Sequence, residues 1–176
     1  MNEVVKQYIE AGKRYLDEDT LDKFFLSIPS KNYVSQVRRT LEAAGIDVIH
    51  NVKNIVSYMY HCDTKLTKIT IPSNISTVKE FAFSKCSNLE VVEFEEGCDM
   101  ICEHSFSCDD KLRKLVLPKS MKYIDRYISS GSVFLRTIRY KGTSEEWESI
   151  SKDPQWLTGS YIGYIVCSDK RIEIKR

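Results

Sequence analysis

Apolar residues recur along this chain on a period longer than that of any helix or strand. Leu66, Leu89, Leu112 and Leu135 stand 23 residues apart, and each has the same companions. Three and five residues on come Ile69 and Ile71, Val92 and Phe94, Leu115 and Leu117, Ile138 and Tyr140. Nine and twelve on come Ile75 and Val78, Cys98 and Ile101, Met121 and Ile124. Fifteen and seventeen on come Phe81 and Phe83, His104 and Phe106, Tyr127 and Ser129. A degraded copy precedes them in Ala43, Ile46, Val48, Val52, Ile55, Tyr58 and Tyr60. A fixed period of roughly 20–50 residues marks a stacked solenoid, whose units cannot bury an apolar face alone. All these positions are therefore read as inward.

Within one unit, Leu66, Ile69 and Ile71 approach period-2 alternation and meet Pro72, which predicts a short strand ended by a residue without an N–H. A second extended piece is expected over 76–81, and Ala82-Phe83 to Asn88 reads as the return turn. Copy three loses the Ala-Phe pair at Tyr127-Ile128-Ser129-Ser130-Gly131, so its turn is expected to bulge or loosen. Before residue 45 the period is helical. Val4, Val5, Tyr8, Ile9 and Leu16 mark one face; Asp19 or Thr20 would cap a second helix with Leu21, Phe24 and Phe25, ended by Pro29. Ser30 would cap a third, with Tyr33, Val34, Val37 and Leu41 inward and Gly45 as its stop. Past Tyr140, Thr143-Ser144-Glu145-Glu146 is a capping box for a short helix carrying Trp147 and Ile150, and 161–174 suggests two strands around Ser168-Asp169-Lys170.

The runs Leu-Thr-Lys-Ile-Thr-Ile-Pro-Ser-Asn-Ile (66–75) and Val-Lys-Glu-Phe-Ala-Phe-Ser-Lys-Cys-Ser-Asn-Leu (78–89) resemble the BspA-like leucine-rich repeat family over about residues 46–142. Tyr-Lys-Gly-Thr-Ser-Glu-Glu-Trp (140–147) is similar to a terminal unit of the same family. The expected fold class is α+β: a leucine-rich-repeat solenoid of 23-residue β-containing coils. Residues 1–44 would form a helical N-terminal cap, 45–142 the solenoid, and 143–176 a C-terminal cap of short helix and β-hairpin. The resemblance implies interaction with another protein and specifies no partner.

Charge narrows the partner class. The 176 residues carry 26 Lys+Arg against 25 Asp+Glu, a net +1, so no global field draws in nucleic acid or an anionic membrane. The N-terminal residues lack a signal-type apolar core and no stretch reaches 18 apolar residues, which predicts a cytoplasmic protein if the chain is complete. Lys13, Arg14, Arg38 and Arg39 would give the N-terminal segment basic surface spots.

Candidate chemistry is sparse. Cys98, Cys102, His104 and Cys108 offer zinc-like ligand types, yet the register points Cys102 outward and Cys98 and His104 inward, so they should not converge. His104 instead takes the place of Phe81 and Tyr127 and should pack as a neutral ring. His61-Cys62-Asp63 is too local for a nucleophile and base, and six cysteines read as free thiols. Neither glycine-rich phosphate motif occurs. No enzyme, cofactor or metal is expected.

What remains is the outer surface, where residues between inward positions align in ladders. One strand presents Lys68, Val91, Lys114 and Thr137 beside Thr70, Glu93, Val116 and Arg139; the other presents Asn54, Thr77, Met100 and Tyr123 beside Val56, Lys79, Cys102 and Asp125. Lys68, Val91, Glu93, Met100, Lys114, Val116, Tyr123 and Arg139 are the candidate partner-binding residues. The expected role is a non-enzymatic protein-binding module. Its alternatives are a phage or mobile-element inhibitor that occludes a host enzyme or defence protein, a fragment of a bacterial surface adhesin, and self-association as a homodimer.

Overall fold

The period-23 residues form coils that stack in register. The computed structural model describes residues 18–175. Each coil gives one strand to each of two parallel sheets. One contains β2 (Lys68–Ile71), β4 (Val91–Phe94), β6 (Lys114–Leu117), β8 (Thr137–Tyr140) and β10 (Tyr164–Val166), and β11 (Arg171–Glu173) returns antiparallel on β10. The other contains β1 (Asn54–Ile55), β3 (Thr77–Val78), β5 (Met100–Ile101), β7 (Tyr123–Ile124) and β9 (Ser151–Lys152). Strands β2 and β6 end immediately before Pro72 and Pro118, where a ladder donor is missing. Leu89, Leu112 and Leu135 are fully buried, each bonding the carbonyl three residues before it; Leu66 packs half-buried at the end of the column.

The return turn is a third stacked wall. Tyr60 N–H donates to Ala82 O at 2.8 Å, Phe83 to Ser105 at 2.9 Å and Phe106 to Ile128 at 2.8 Å. Two residues per turn adopt left-handed backbone in every coil: Tyr58, Phe81, His104 and Tyr127 at φ 56–66°, and Cys62, Lys85, Cys108 and Gly131 at φ 56–78°. The expected bulge in copy three is absent because Ile128 and Ser129 are buried in place of Ala82-Phe83, and Gly131 supplies the left-handed residue without strain. Lys85 is exposed at φ 64°, so Lys85→Gly should raise stability by about 0.5–1 kcal/mol, read as an increased urea midpoint.

The first coil is closed by α1 (Glu18–Leu26) and α2 (Lys31–Ala43). The apolar run of Val4, Val5, Tyr8, Ile9 and Leu16, with Lys13 and Arg14, lies outside the described residues. Asp19 and Thr20, expected as caps, fall inside α1. Ser30 stands at the N-cap of α2 without a side-chain bond. Gly45 (φ 83°) ends α2 in a Schellman turn, its N–H on Glu42 O and that of Ile46 on Leu41 O. The inward face of α2 runs through Val34, Arg38 and Leu41, so Tyr33, one position round the helix, is 59% exposed.

Arg38 corrects a second expectation. It is 4% exposed, buried among partners. Its Nε donates to Met59 O at 3.0 Å, Nη1 to Glu42 at 2.6 Å and Nη2 to Asp63, and the guanidinium lies 4.2 Å from the Tyr60 ring centroid. Burial raises the Glu42 pKa even against the Arg38 charge. Asp22 closes the edge of the five-stranded sheet, accepting Lys53 N–H at 3.2 Å and the Asn54 amide at 3.1 Å. The degraded first copy forms no strand at 46–48; Ala43 ends α2 and Ile49–Asn51 make a 3₁₀ turn.

At the other end both sheets run on past Tyr140. Ser151 sits beside Tyr123, an interval of 28 residues that accommodates α3 (Ser144–Ser149). The capping box forms: Thr143 Oγ1 accepts Glu146 N–H at 3.2 Å and Glu146 accepts Thr143 N–H at 2.7 Å. Trp147 and Ile150 are buried.

Candidate interaction surface

Outward residues of the parallel strands superpose at one strand spacing, roughly 4.8 Å, and make rigid ladders. On the six-stranded sheet Lys68 lies opposite Val91 and Val91 opposite Lys114, while Glu93, Val116, Arg139 and Val166 follow one another in register. Lys68, Lys114 and Arg139 are exposed; Val91 and Glu93 are half-buried. Lys114 Nζ reaches Glu93 at 2.5 Å, tying two of the candidates together across strands. Val116 is 7% exposed, because it lies between the long side chains of Glu93 and Arg139.

Met100 and Tyr123 are opposite one another on the five-stranded sheet. They belong to a different wall, since the two sheets share no strand, and so the eight candidate residues divide into six and two. Cys102, expected outward there, is buried.

The largest departure from the expected register is the ring column at the turn. Tyr58, Phe81, His104 and Tyr127 stack with centroids 5.2, 4.9 and 5.1 Å apart, yet all four are half-exposed. Left-handed backbone at each ring directs it out of the interior, a conformation that hydrophobic period alone does not reveal. The buried column is two residues on, where Tyr60, Phe83 and Phe106 stack at 4.8 and 5.3 Å. His104 Nδ1 lies 3.0 Å from Ser107 Oγ. Lys31 Nζ sits 5.3 Å from the Tyr58 ring centroid at the column's end.

Charges are banded by coil. Glu90, Glu93, Asp99 and Glu103 of one coil meet Arg113, Lys114, Lys122 and Arg126 of the next, with Lys122 to Asp99 at 3.2 Å and Arg126 to Glu103 at 2.8 Å. Three of these four pairs are 23 residues apart, a spacing legible in the sequence had charge been read on the same period. Exposed pairs of this kind add little each, about 0–1 kcal/mol, so the surface they form is chiefly a matter of register.

The residue types that suggested chemistry are dispersed. Asp63 is engaged by Arg38, and Cys98 Sγ approaches Met100 O at 3.5 Å. Burial pushes the Cys98 thiol up to about 12 and that of Cys102 up to about 11, away from thiolate reactivity at neutral pH. Among the described residues no three His, Cys, Asp or Glu side chains gather as a metal would require, and no helix is long and apolar enough to cross a membrane.

Asp109 is a buried acid that sequence reading passed over. Its Oδ1 accepts Cys86 N–H at 2.8 Å, and Oδ2 has no partner among the described residues. Burial raises its pKa well above the ordinary carboxylate value, against the smaller opposing effect of the Cys86 N–H. A raised folded-state pKa gives stability that is complete below the unfolded value and lost as pH climbs through the folded one. Asp109→Asn should therefore flatten the decline of stability above about pH 4, by up to about 1.4 kcal/mol per pH unit, in urea melts from pH 4.5 to 7.5. Equal slopes in variant and parent would refute this assignment.

Comparison with known families agrees with the stack. The family model for the BspA type leucine rich repeat region matches residues 40–151 in six copies. No curated protein and no solved structure matches the chain.

Proposed function

Because this chain belongs to the family of BspA-type leucine-rich repeat proteins, we propose that it is a non-enzymatic module that docks a protein partner on the outer wall of its six-stranded sheet. The observation that carries this reading is the registered array of Lys68, Val91, Glu93, Lys114 and Arg139, which offers both charge signs and an apolar residue at fixed strand spacing. Such a wall suits a broad protein surface better than a small substrate. On this reading, residues 1–44 and 143–176 act as caps and 45–142 as the docking surface. Six free thiols, with Cys62 and Cys108 exposed, support a reducing, cytoplasmic setting.

A photo-crosslinking residue placed in turn at Val91, Arg139, Met100 and Tyr123 tests the wall directly in native lysate. One protein should be captured from Val91 and Arg139 and little from Met100 or Tyr123; capture from the latter pair alone, or from none, would refute the proposal. The captured protein's identity decides between an inhibited host enzyme and a surface target. Lys114→Glu combined with Arg139→Glu should weaken binding to that protein at least tenfold while leaving the circular dichroism spectrum unchanged.

A further inference from the structure

The six-stranded sheet has β2 at one edge and β11 at the other. At the C-terminal end, β11 is an edge strand that, among the described residues, is paired on one side only. Ile174 N–H donates to Gly163 O and Lys170 O accepts from Cys167 N–H, both at 2.9 Å, so the even-numbered residues of β11 turn their backbone groups toward β10. The N–H and C=O groups of Arg171 and Glu173 consequently point away from the sheet. The inner stripe is also incomplete here: Ile172 and Ile174 pack on the core but remain half-exposed. Beside them lies a groove of about 530 Å³ lined by Pro154, Leu157, Tyr161 and Ile174.

We propose that two copies of this chain pair tail to tail through β11, antiparallel about a two-fold axis at Ile172. In that register Arg171 of each copy stands opposite Glu173 of the other, with their outward backbone groups forming the hydrogen-bonded pairs. Shifting the register by two residues sets Arg171 against Arg171 or Glu173 against Glu173, so charge selects one alignment. The pairing joins two six-stranded sheets into one and covers Ile172 and Ile174. Three residues of strand are too few to hold a dimer, and the adjoining groove, which Thr158 and Lys175 also line, supplies the further contact area. The outer wall of the sheet is not used, so this dimer and the docking role stand or fall separately.

Light scattering on the purified chain at about 100 µM should give roughly twice 20.4 kDa. Arg171→Glu and Glu173→Arg should each weaken association at least tenfold by opposing like charges, and mixing the two variant chains should restore a heterodimer. Glu173→Pro removes an outward N–H while sparing the bonds to β10, and should also yield monomer. Restoration on mixing requires that both variants be folded, which circular dichroism checks independently. A monomeric parent, a dimer indifferent to both charge changes, or open-ended filaments from β11 pairing with β2 would each overturn the proposal.

Discussion

Arg38→Ala should cost about 3–5 kcal/mol of unfolding free energy, the range for breaking a buried ion pair by removing one partner. The lost guanidinium serves three acceptors: the Met59 carbonyl, Glu42 and Asp63. Asp63 then remains buried and charged, still accepting the N–H groups of Lys65 at 3.0 Å and Leu66 at 3.2 Å. Those bonds start the first full coil, so the damage falls where helix and solenoid join. Urea unfolding followed by circular dichroism measures it. Adding Asp63→Asn should recover part of the loss, because the amide oxygen still takes the backbone donors without a stranded charge. A loss under about 1 kcal/mol for Arg38→Ala would mean that solvent screens the pair.

Phe83→Ala should cost a similar amount, about 3–5 kcal/mol. Phe83 is fully buried between Tyr60 and Phe106, whose rings lie within 12° of parallel to it, and its removal leaves a gap inside a column spaced by the coils themselves. The control is Phe81→Ala, two residues earlier on the half-exposed column, which should cost no more than about 1.5 kcal/mol because less apolar area is withdrawn from contact. Comparable losses at the two positions would contradict the assignment of one ring column to the core and the other to the surface.

Much of the fold was legible because a stack of equal coils turns three-dimensional neighbours into residues at a constant interval. Leu89, Val92, Phe94, Ile101 and their equivalents are buried where the period put them, except that Leu66 and Ile69 of the first full coil are half-buried. The capping box at Thr143 and the stop at Gly45 were readable for a different reason, since each is satisfied within a few residues of chain. The candidate surface was legible only as separate ladders. The period put Val91 and Met100 on different strands, but only the paired sheets show that they cannot belong to one patch, and burial of Val116 depends on how far Glu93 and Arg139 reach.

Sequence alone determined the repeat length, the strand pair per coil and the interior stripe, because hydrophobic burial imprints its period on composition. The tertiary structure decided the rest. Left-handed backbone at Tyr58, Phe81, His104 and Tyr127 turned an apparent core column outward. The meeting of α2 with the first turn converted Arg38 from a surface charge into a buried one. The return of β11 onto β10 left the outer edge of β11 unpaired among the described residues. These features arise from backbone torsion and from contacts between segments without a common period, and neither is written in the spacing of apolar residues.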